Sequence, residues 1–455
     1  MAFIIPDEII SIYRIIEKAE FQVYLVGGCV RDLLLKKKVK DWDLTTDATP
    51  RKILKLFPKA FYDNTFGTVG IPDKNKNVIE VTTFRTEHGY IDRRHPKKVS
   101  WGKTIKGDLS RRDFTINAIA LRFTSFTQGK LSNFEMVDPH NGQGDLKNKI
   151  IRAVGDPKKR FKEDALRLIR AIRLATELSF TIEEKTWNGI VNDAPLMNEI
   201  SKERVHDELL RILGSSYPYE GMMLLKNSSL IQYILPELLE GIGISQERPG
   251  RHHKTDVFTH NILSLKFCSS KDPIVRFAAL LHDIGKPHVA SLDEKGLVIF
   301  HNHELEGAKM TREICERLKF SRKDREKIVN LIRWHMFTVD EKITDAAVRR
   351  FIRRVGVESV KDMMDLRIGD RLGGGTQTAE SWRLKLFKKR VEDQLKPAPF
   401  SISDLAVDGN DVMKILNIKP GPKVGELLQK LFEEVDEDLS KNKKEHLIKR
   451  IKELA

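Results

Sequence analysis

The feature that most constrains this chain is a change of periodicity near Gly155-Asp156-Pro157. Ahead of it, short β-branched runs alternate with helix-like segments. Behind it, strand signals nearly vanish and apolar residues recur at helical spacing. A chain patterned in this way is neither a single sheet nor a single helical bundle. It predicts an α+β architecture, a mixed-sheet head followed by a long helical body. In the head, Val23–Val26 reads as a strand ending at Gly27-Gly28, with a helix over residues 30–35. Residues 41–45 and 77–84 read as further strands, Thr49-Pro50 as a helix start, and residues 87–101 as a polar, basic loop. In the body, residues 160–177, 182–192 and Lys202–Leu213 read as helices. A Pro/Gly-bearing stretch over 241–254 marks the boundary to a His-rich helical unit. From Thr344 the chain is helical and Lys/Arg-rich, ending in an amphipathic stretch over 436–454.

Length and charge narrow the function. At 455 residues, the chain has room for about two to four domains. We divide it into residues 1–150, 151–240, 241–375 and 376–455. Its 80 basic and 65 acidic residues give a net charge of +15, which favours a polyanionic partner such as nucleic acid. No apolar run approaches the roughly 18 residues needed to span a bilayer, so no membrane role is expected. The N-terminal residues lack a basic leader and a cleavage site. Three scattered cysteines, Cys29, Cys268 and Cys315, make no disulfide framework, and the protein is expected to be cytoplasmic.

Three motifs carry chemistry. On a strand, Asp41 and Asp43 of Lys40-Asp41-Trp42-Asp43 would point to one side, and two adjacent carboxylates repel unless a cation lies between them. Hard oxygen ligands of this kind suit Mg²⁺ bound together with substrate phosphates. An isolated Asp-x-Asp is more often a solvated turn. Gly27-Gly28, between a strand and a helix, lets backbone N–H groups approach a phosphate, and Arg31 follows on the first helical turn. Glu80 is either a third carboxylate near the metal or a solvent-facing strand residue.

Further on, Glu163-Asp164-Ala165-Leu166-Arg167 continues into an amphipathic helix with Arg170 and Arg173 at three-residue intervals. Asp164 and Arg167, neighbours at i, i+3, read either as a surface salt bridge or as a reader of base edges. Seven of the thirteen histidines fall between His252 and His303. The ordered set His260, His282-Asp283, His303, His335 and Asp370 supplies ligands suited to a divalent transition metal.

Gly27-Gly28-Cys29-Val30-Arg31-Asp32, then Asp41-Trp42-Asp43, then Arg111-Arg112-Asp113-Phe114-Thr115-Ile116-Asn117-Ala118 resembles the head of class II tRNA nucleotidyltransferases, shared by bacterial poly(A) polymerases. The resemblance implies a nucleotidyltransferase head with Asp41 and Asp43 as catalytic Mg²⁺ ligands. Gly28, Arg31 and Arg112 match positions that hold the triphosphate, while the role of Asp113 and Asn117 stays open. Asp164 and Arg167 match the family's base-selecting residues, and Arg170 and Arg173 match further nucleotide contacts. Cytosine and adenine both carry an exocyclic amine, so one Asp–Arg pair can accept both and reject G and U. Asp138-Pro139-His140-Asn141-Gly142 is similar to the hinge between head and neck. Lys202-Glu203-Arg204-Val205 with Glu208-Leu209 is similar to a structural neck element. Arg85-Thr86-Glu87, Tyr90, Asp92, Arg94 and His95-Pro96 resemble the loop linked to adenosine addition, absent from enzymes that add only the two cytidines.

Leu280-Leu281-His282-Asp283-Ile284-Gly285-Lys286-Pro287 resembles the core of the HD phosphohydrolases. That likeness implies one metal on His260, His282, Asp283 and Asp370, with His303 and His335 permitting a second. A metal-bound water there could attack a phosphomonoester or a cyclic phosphodiester. Lysine clusters at 36–38, 97–98 and 441–444 fit a tRNA backbone track. The expected activity is addition of CMP and AMP, from CTP and ATP, to the 3′ end of tRNA. An A-adding enzyme partnered with a CC-adding one is the alternative, and a poly(A) polymerase is a further one. A phosphohydrolase whose head only binds nucleotides is opposed by the intact Asp41/Asp43 pair. A non-catalytic RNA-binding regulator is opposed by that pair together with the metal-ligand set.

Overall fold

A computed structural model describes residues 3–63, 67–73, 78–90, 96–127, 130–247, 255–395 and 401–454. Asp92, Arg94, His95 and His252, named above, lie outside the described residues. Two compact units divide the chain, Met1–Pro236 and Glu237–Ala455. No helix among the described residues is long and apolar enough to cross a membrane.

The first unit is built on an eight-stranded mixed sheet. In chain order its strands are β1 (Phe3–Ile4), β2 (Val23–Val26), β3 (Asp43–Thr46), β4 (Phe61–Asp63), β5 (Thr68–Pro72) and β6 (Val78–Thr83). A separate pair follows, β7 (Arg85–Tyr90) and β8 (Pro96–Trp101), and the sheet is completed by β9 (Ala120–Thr127) and β10 (Lys130–Val137). The spatial order is β1-β10-β9-β2-β3-β6-β5-β4, with β3 and β6 parallel and every other pair antiparallel. The continuous apolar run Val23-Tyr24-Leu25-Val26 is buried along its length, as suits a strand covered on both faces. β6 instead alternates exposed and buried positions, the period of a half-covered strand.

Three expectations are corrected here. The second strand begins at Asp43, so Asp41 lies in the bend before it and not on the strand. The loop expected over residues 87–101 falls in a hairpin: β7 and β8 pair antiparallel, Arg85 opposite Trp101 and Tyr90 opposite Pro96. The helix expected over 160–177 is broken into Pro157–Glu163 and Leu166–Leu178. At the break Asp164 is extended (φ −144°, ψ 105°), and its Oδ1 accepts from the Leu166 backbone N–H at 3.1 Å. Such side-chain capping competes with helical hydrogen bonding and interrupts the apolar period without erasing it. Lys202–Leu213 is helical as read.

The second unit is helical apart from a small hairpin, Ala290–Leu292 with Val298–Phe300. Its C-terminal part has a core of its own around Val412, Leu431, Val435 and Ile451. The amphipathic stretch over 436–454 is not continuous. Helix Pro422–Glu437 stops at extended Asp438, whose carboxylate accepts from the Ser440 N–H, and Lys444–Leu454 forms a separate helix.

Candidate functional sites

In the first unit, the turn after β2 holds Gly27 at φ +76°, a conformation side-chain-bearing residues rarely adopt. A Cβ there would stand 3.1 Å from Arg112 Nη1 and 3.3 Å from Asp43 Oδ2, so the turn, the carboxylate and the guanidinium crowd one point. Gly28 opens the next helix, with Arg31 Nη2 3.6 Å from where its Cβ would be. Asp43 on β3 is in parallel register with Glu80 on β6, so both side chains leave the same face of the sheet. Burial raises the pKa of Asp43; Arg112 and Arg31 pull it down, and the charge of Asp41 pushes it up. A buried carboxylate beside a second one is a donor set that suits a hard divalent cation such as Mg²⁺.

A network of ions extends from this point into the helices that follow. Arg31 donates to Asn117 Oδ1 (2.9 Å), and Asn117 Nδ2 donates to Asp113 Oδ1 (3.2 Å). Asp113 Oδ2 accepts two bonds from Arg170, at 2.7 and 3.0 Å. Burial alone would push the Asp113 carboxyl up, but Arg170 and Asn117 outweigh it and hold it well below the usual carboxylate range. Beyond Arg170 stand Glu208, Arg173 and Glu177. Arg173, expected to be a further nucleotide contact, is turned inward. It is only 3% exposed, and its guanidinium is taken up by Glu208 and Glu177.

Asp164 and Arg167 do not pair with each other. Arg204 grips Asp164 at 2.8 and 3.2 Å, whereas Arg167 pairs with Glu163 (2.8 Å) and donates to the carbonyls of Arg160 and Arg111. Asp108, a buried carboxylate that sequence reasoning passed over, holds both Arg111 (2.7 Å) and Arg112 (3.2 Å). Asp108 has no distinguishing sequence context, whereas Arg204 belongs to the neck element Lys202-Glu203-Arg204-Val205 and Glu163 opens the stretch that carries Asp164 and Arg167. Asp113 and Asn117 lie inside the motif Arg111-Arg112-Asp113-Phe114-Thr115-Ile116-Asn117-Ala118.

The second unit assembles all six expected metal ligands. His260 lies on helix Val257–Phe267, His282-Asp283 follow Pro273–Leu281, His303 opens His303–Arg317, His335 follows Arg322–Trp334, and Asp370 lies on Val360–Gly373. Two glycines let the last helix close on the first: a Cβ at Gly369 would meet the Ser264 carbonyl at 2.5 Å, and one at Gly373 the Ser264 hydroxyl at 2.5 Å. Asp283 bridges the set. Its Oδ2 is 3.2 Å from His260 Nε2 and 3.3 Å from His282 Nε2, and its Oδ1 is 3.3 Å from His303 Nε2 and 3.7 Å from His335 Nε2. Asp370 Oδ1 adds a contact to His260 at 3.3 Å.

The ring orientations point the free nitrogens inward. Nδ1 of His303 faces the Phe300 carbonyl (2.8 Å) and Nδ1 of His335 the Ile332 carbonyl (2.7 Å), so each Nδ1 carries its proton. Their Nε2 atoms then face each other at 3.3 Å, an arrangement that a metal ion or a shared proton between them would satisfy. Burial lowers the His282 pKa, but Asp283 and Asp370 outweigh it and raise the group to about 10, a sign of a cation-favouring field. The cluster therefore fits a divalent metal as two sets sharing Asp283. Lys286 (2.5 Å from Asp283 Oδ2) and Arg367 (2.8 Å from Asp370 Oδ2) stand at its rim.

A mixed sheet that crowds a glycine turn, a carboxylate pair and arginines, followed by helices, defines a nucleotidyltransferase. Residues 23–152 match the "Poly A polymerase head domain" family, 179–241 the "Probable RNA and SrmB- binding site of polymerase A" and 261–384 the "HD domain". The chain is 34% identical over 425 residues to an A-adding tRNA nucleotidyltransferase of Deinococcus radiodurans, 90% of each chain being covered. It is 44% identical over 212 residues to a CCA-adding enzyme of Lactobacillus helveticus, covering 46% of this chain and 51% of that one. The crystal structure of a Bacillus stearothermophilus CCA-adding enzyme in complex with CTP superimposes with a TM-score of 0.71 at 25% identity, covering 98% and 97% of the two chains. The chain belongs to the class II tRNA nucleotidyltransferases, the family of the CCA-adding and A-adding enzymes, and it is a transferase acting on the tRNA 3′ end.

Proposed function

We propose that this chain adds CMP and AMP, from CTP and ATP, to the 3′ end of tRNA in the cytoplasm, completing or repairing the CCA terminus. The observation that carries the reading is the convergence of Gly27, Asp43 and Arg112 on one point, with Arg31 alongside. In this reading Asp41 and Asp43 hold Mg²⁺, which when bound supplies activation of the attacking hydroxyl and charge neutralisation at the leaving pyrophosphate. Gly28, Arg31 and Arg112 receive the triphosphate, and fixed positive charge around it favours the transition state over the ground state. Asp164, Arg167 and Arg170 line the base-reading side, where a carboxylate accepts from the exocyclic amine of C or A and a guanidinium donates to the ring. Residues 1–150 then act as the head, 151–240 as the base-selecting neck, 241–375 as a metal-dependent phosphohydrolase-like domain, and 376–455 as a tRNA-binding tail.

A second reading, addition of the terminal A alone, is favoured by the likeness to the Deinococcus A-adding enzyme over 90% of both chains. One gel assay separates them. Purified protein with Mg²⁺ is given tRNAs ending before CCA, after C and after CC, with CTP, ATP or both. Completion of all three supports CCA addition. Extension of the CC-ended tRNA alone, by one A, replaces it with the second reading, and a long A ladder on any RNA moves the activity to poly(A) synthesis.

A further inference from the structure

Beside the metal cluster of the second unit lies a separate cleft of about 400 Å³, lined by Arg333, Trp334, Met336, Phe337, Arg350 and Arg354 among others. Two guanidinium groups lie against the Trp334 ring: that of Arg333 at 4.4 Å from its centroid and that of Arg354 at 4.8 Å. Among the described residues Arg354 has no carboxylate partner, and it is exposed. Arg350 reaches Glu437 (2.6 Å), while Arg333 is 3.9 Å from Glu304, a carboxylate in the cleft wall. Three cations thus face one carboxylate in the lining. Phe337, Phe351 and Phe387 pack together under them, with centroids 4.7 to 5.4 Å apart. Met336, 60% exposed, lines this cleft and the metal cavity alike.

A guanidinium held against an aromatic ring keeps N–H donors free for a phosphate and loses little entropy on binding one. Arginine forks next to aromatic surface, in a cleft this size, suit a sugar–phosphate chain more than an apolar ligand. We propose that this cleft is a phosphodiester-binding site for an RNA strand, with Arg354 and Arg333 as the donors, distinct from the nucleotide-adding site of the first unit. Identifying that strand as part of the tRNA rests on the function proposed above.

The test uses the full chain, two probes and three variants. Binding of a CC-ended tRNA and of a single-stranded hexa-adenylate is measured between about 50 and 200 mM salt for Arg354→Ala, Arg354→Lys and Lys361→Ala. Lys361 is an exposed lysine on another helix and controls for simple loss of charge. Arg354→Ala is expected to weaken both probes about three- to tenfold and to reduce the salt slope by about one, with Arg354→Lys in between. Equal binding and slope in Arg354→Ala overturns the proposal. So does an equal loss in Lys361→Ala, which makes the effect diffuse charge, or displacement of RNA by ATP that Arg354→Ala abolishes, which makes the cleft a nucleotide site. Nucleotide addition by the unaltered protein is read in parallel. Its absence would strike the tRNA reading alone, because the hexa-adenylate result decides the cleft either way.

Discussion

Asp164 and Arg204 form a two-pronged ion pair, 2.8 and 3.2 Å, between the break that precedes helix Leu166–Leu178 and the helix Lys202–Leu213. The carboxylate proposed to read the base is thus aimed by an arginine 40 residues away and not by the neighbouring Arg167. An aimed carboxylate presents its free lone pairs in one direction, which is what discrimination between an amine and a carbonyl requires. Arg204→Ala is expected to reduce the preference for CTP over UTP about tenfold, or about 1.4 kcal/mol. The comparison of kcat/KM for the two nucleotides checks it, and an unchanged ratio would leave Arg204 a scaffold residue.

The motifs were legible because spacing encodes them. Gly27-Gly28, Asp41/Asp43 and the six-residue metal set each bring several chemistry-bearing side chains into a fixed order, and the strand Val23–Val26 and helix Lys202–Leu213 follow from their apolar periods. The partners of the charged residues were not legible. Arg167 has Glu163 and Asp164 both within its reach on paper, and the break at Asp164 leaves it to Glu163 while Arg204, far off in the sequence, takes Asp164. Arg173 looked like its neighbours in an arginine series, yet the helix turns it inward against Glu208. Residues 87–101 read as a loop because their polar composition hides a ladder made by backbone hydrogen bonds.

Asp43 sets function against stability. Burial and the charge of Asp41 both raise its pKa, so its ionised form is less favourable in the folded chain than in the unfolded one. Asp43→Asn should cut nucleotide addition by at least about 10³-fold, near 4 kcal/mol of barrier. The same variant should melt at a higher temperature than the unaltered protein when divalent metal is removed. Steady-state addition assays and thermal melts in chelator check the two halves separately.

Asp113 supplies the opposite case. Its carboxyl is held well below the usual range despite burial, chiefly by Arg170. A depressed carboxylate contributes stability that is fully present above its unfolded pKa of about 3.9 and is lost as pH falls toward the native value. Asp113→Asn leaves Arg170 facing Glu208 alone, and should cost about 3 kcal/mol at pH 7. Urea unfolding at descending pH should show the gap between the two proteins closing below about pH 4. A gap that stays constant with pH would mean that Asp113 acts by packing and not by charge.

The metal cluster of the second unit should load independently of the nucleotide-adding site. With Asp283 shared between a His260/His282 set and a His303/His335 set, the intact protein should take up to two divalent ions there. His303→Ala removes a ligand from one set only and should lower the content from two to one, whereas His282→Ala weakens the set that Asp370 also supports. At a free metal concentration about a hundredfold above its Kd, a single site stabilises the fold by about 2.7 kcal/mol, so melting temperature should climb with added Mn²⁺ in the intact protein and less in His282→Ala. Asp41→Ala should abolish nucleotide addition while leaving metal content at the cluster, and any phosphatase activity there, unchanged. Elemental analysis after gel filtration, run beside the addition assay, reads both sites at once, and loss of cluster metal in Asp41→Ala would show that the two sites are not separate.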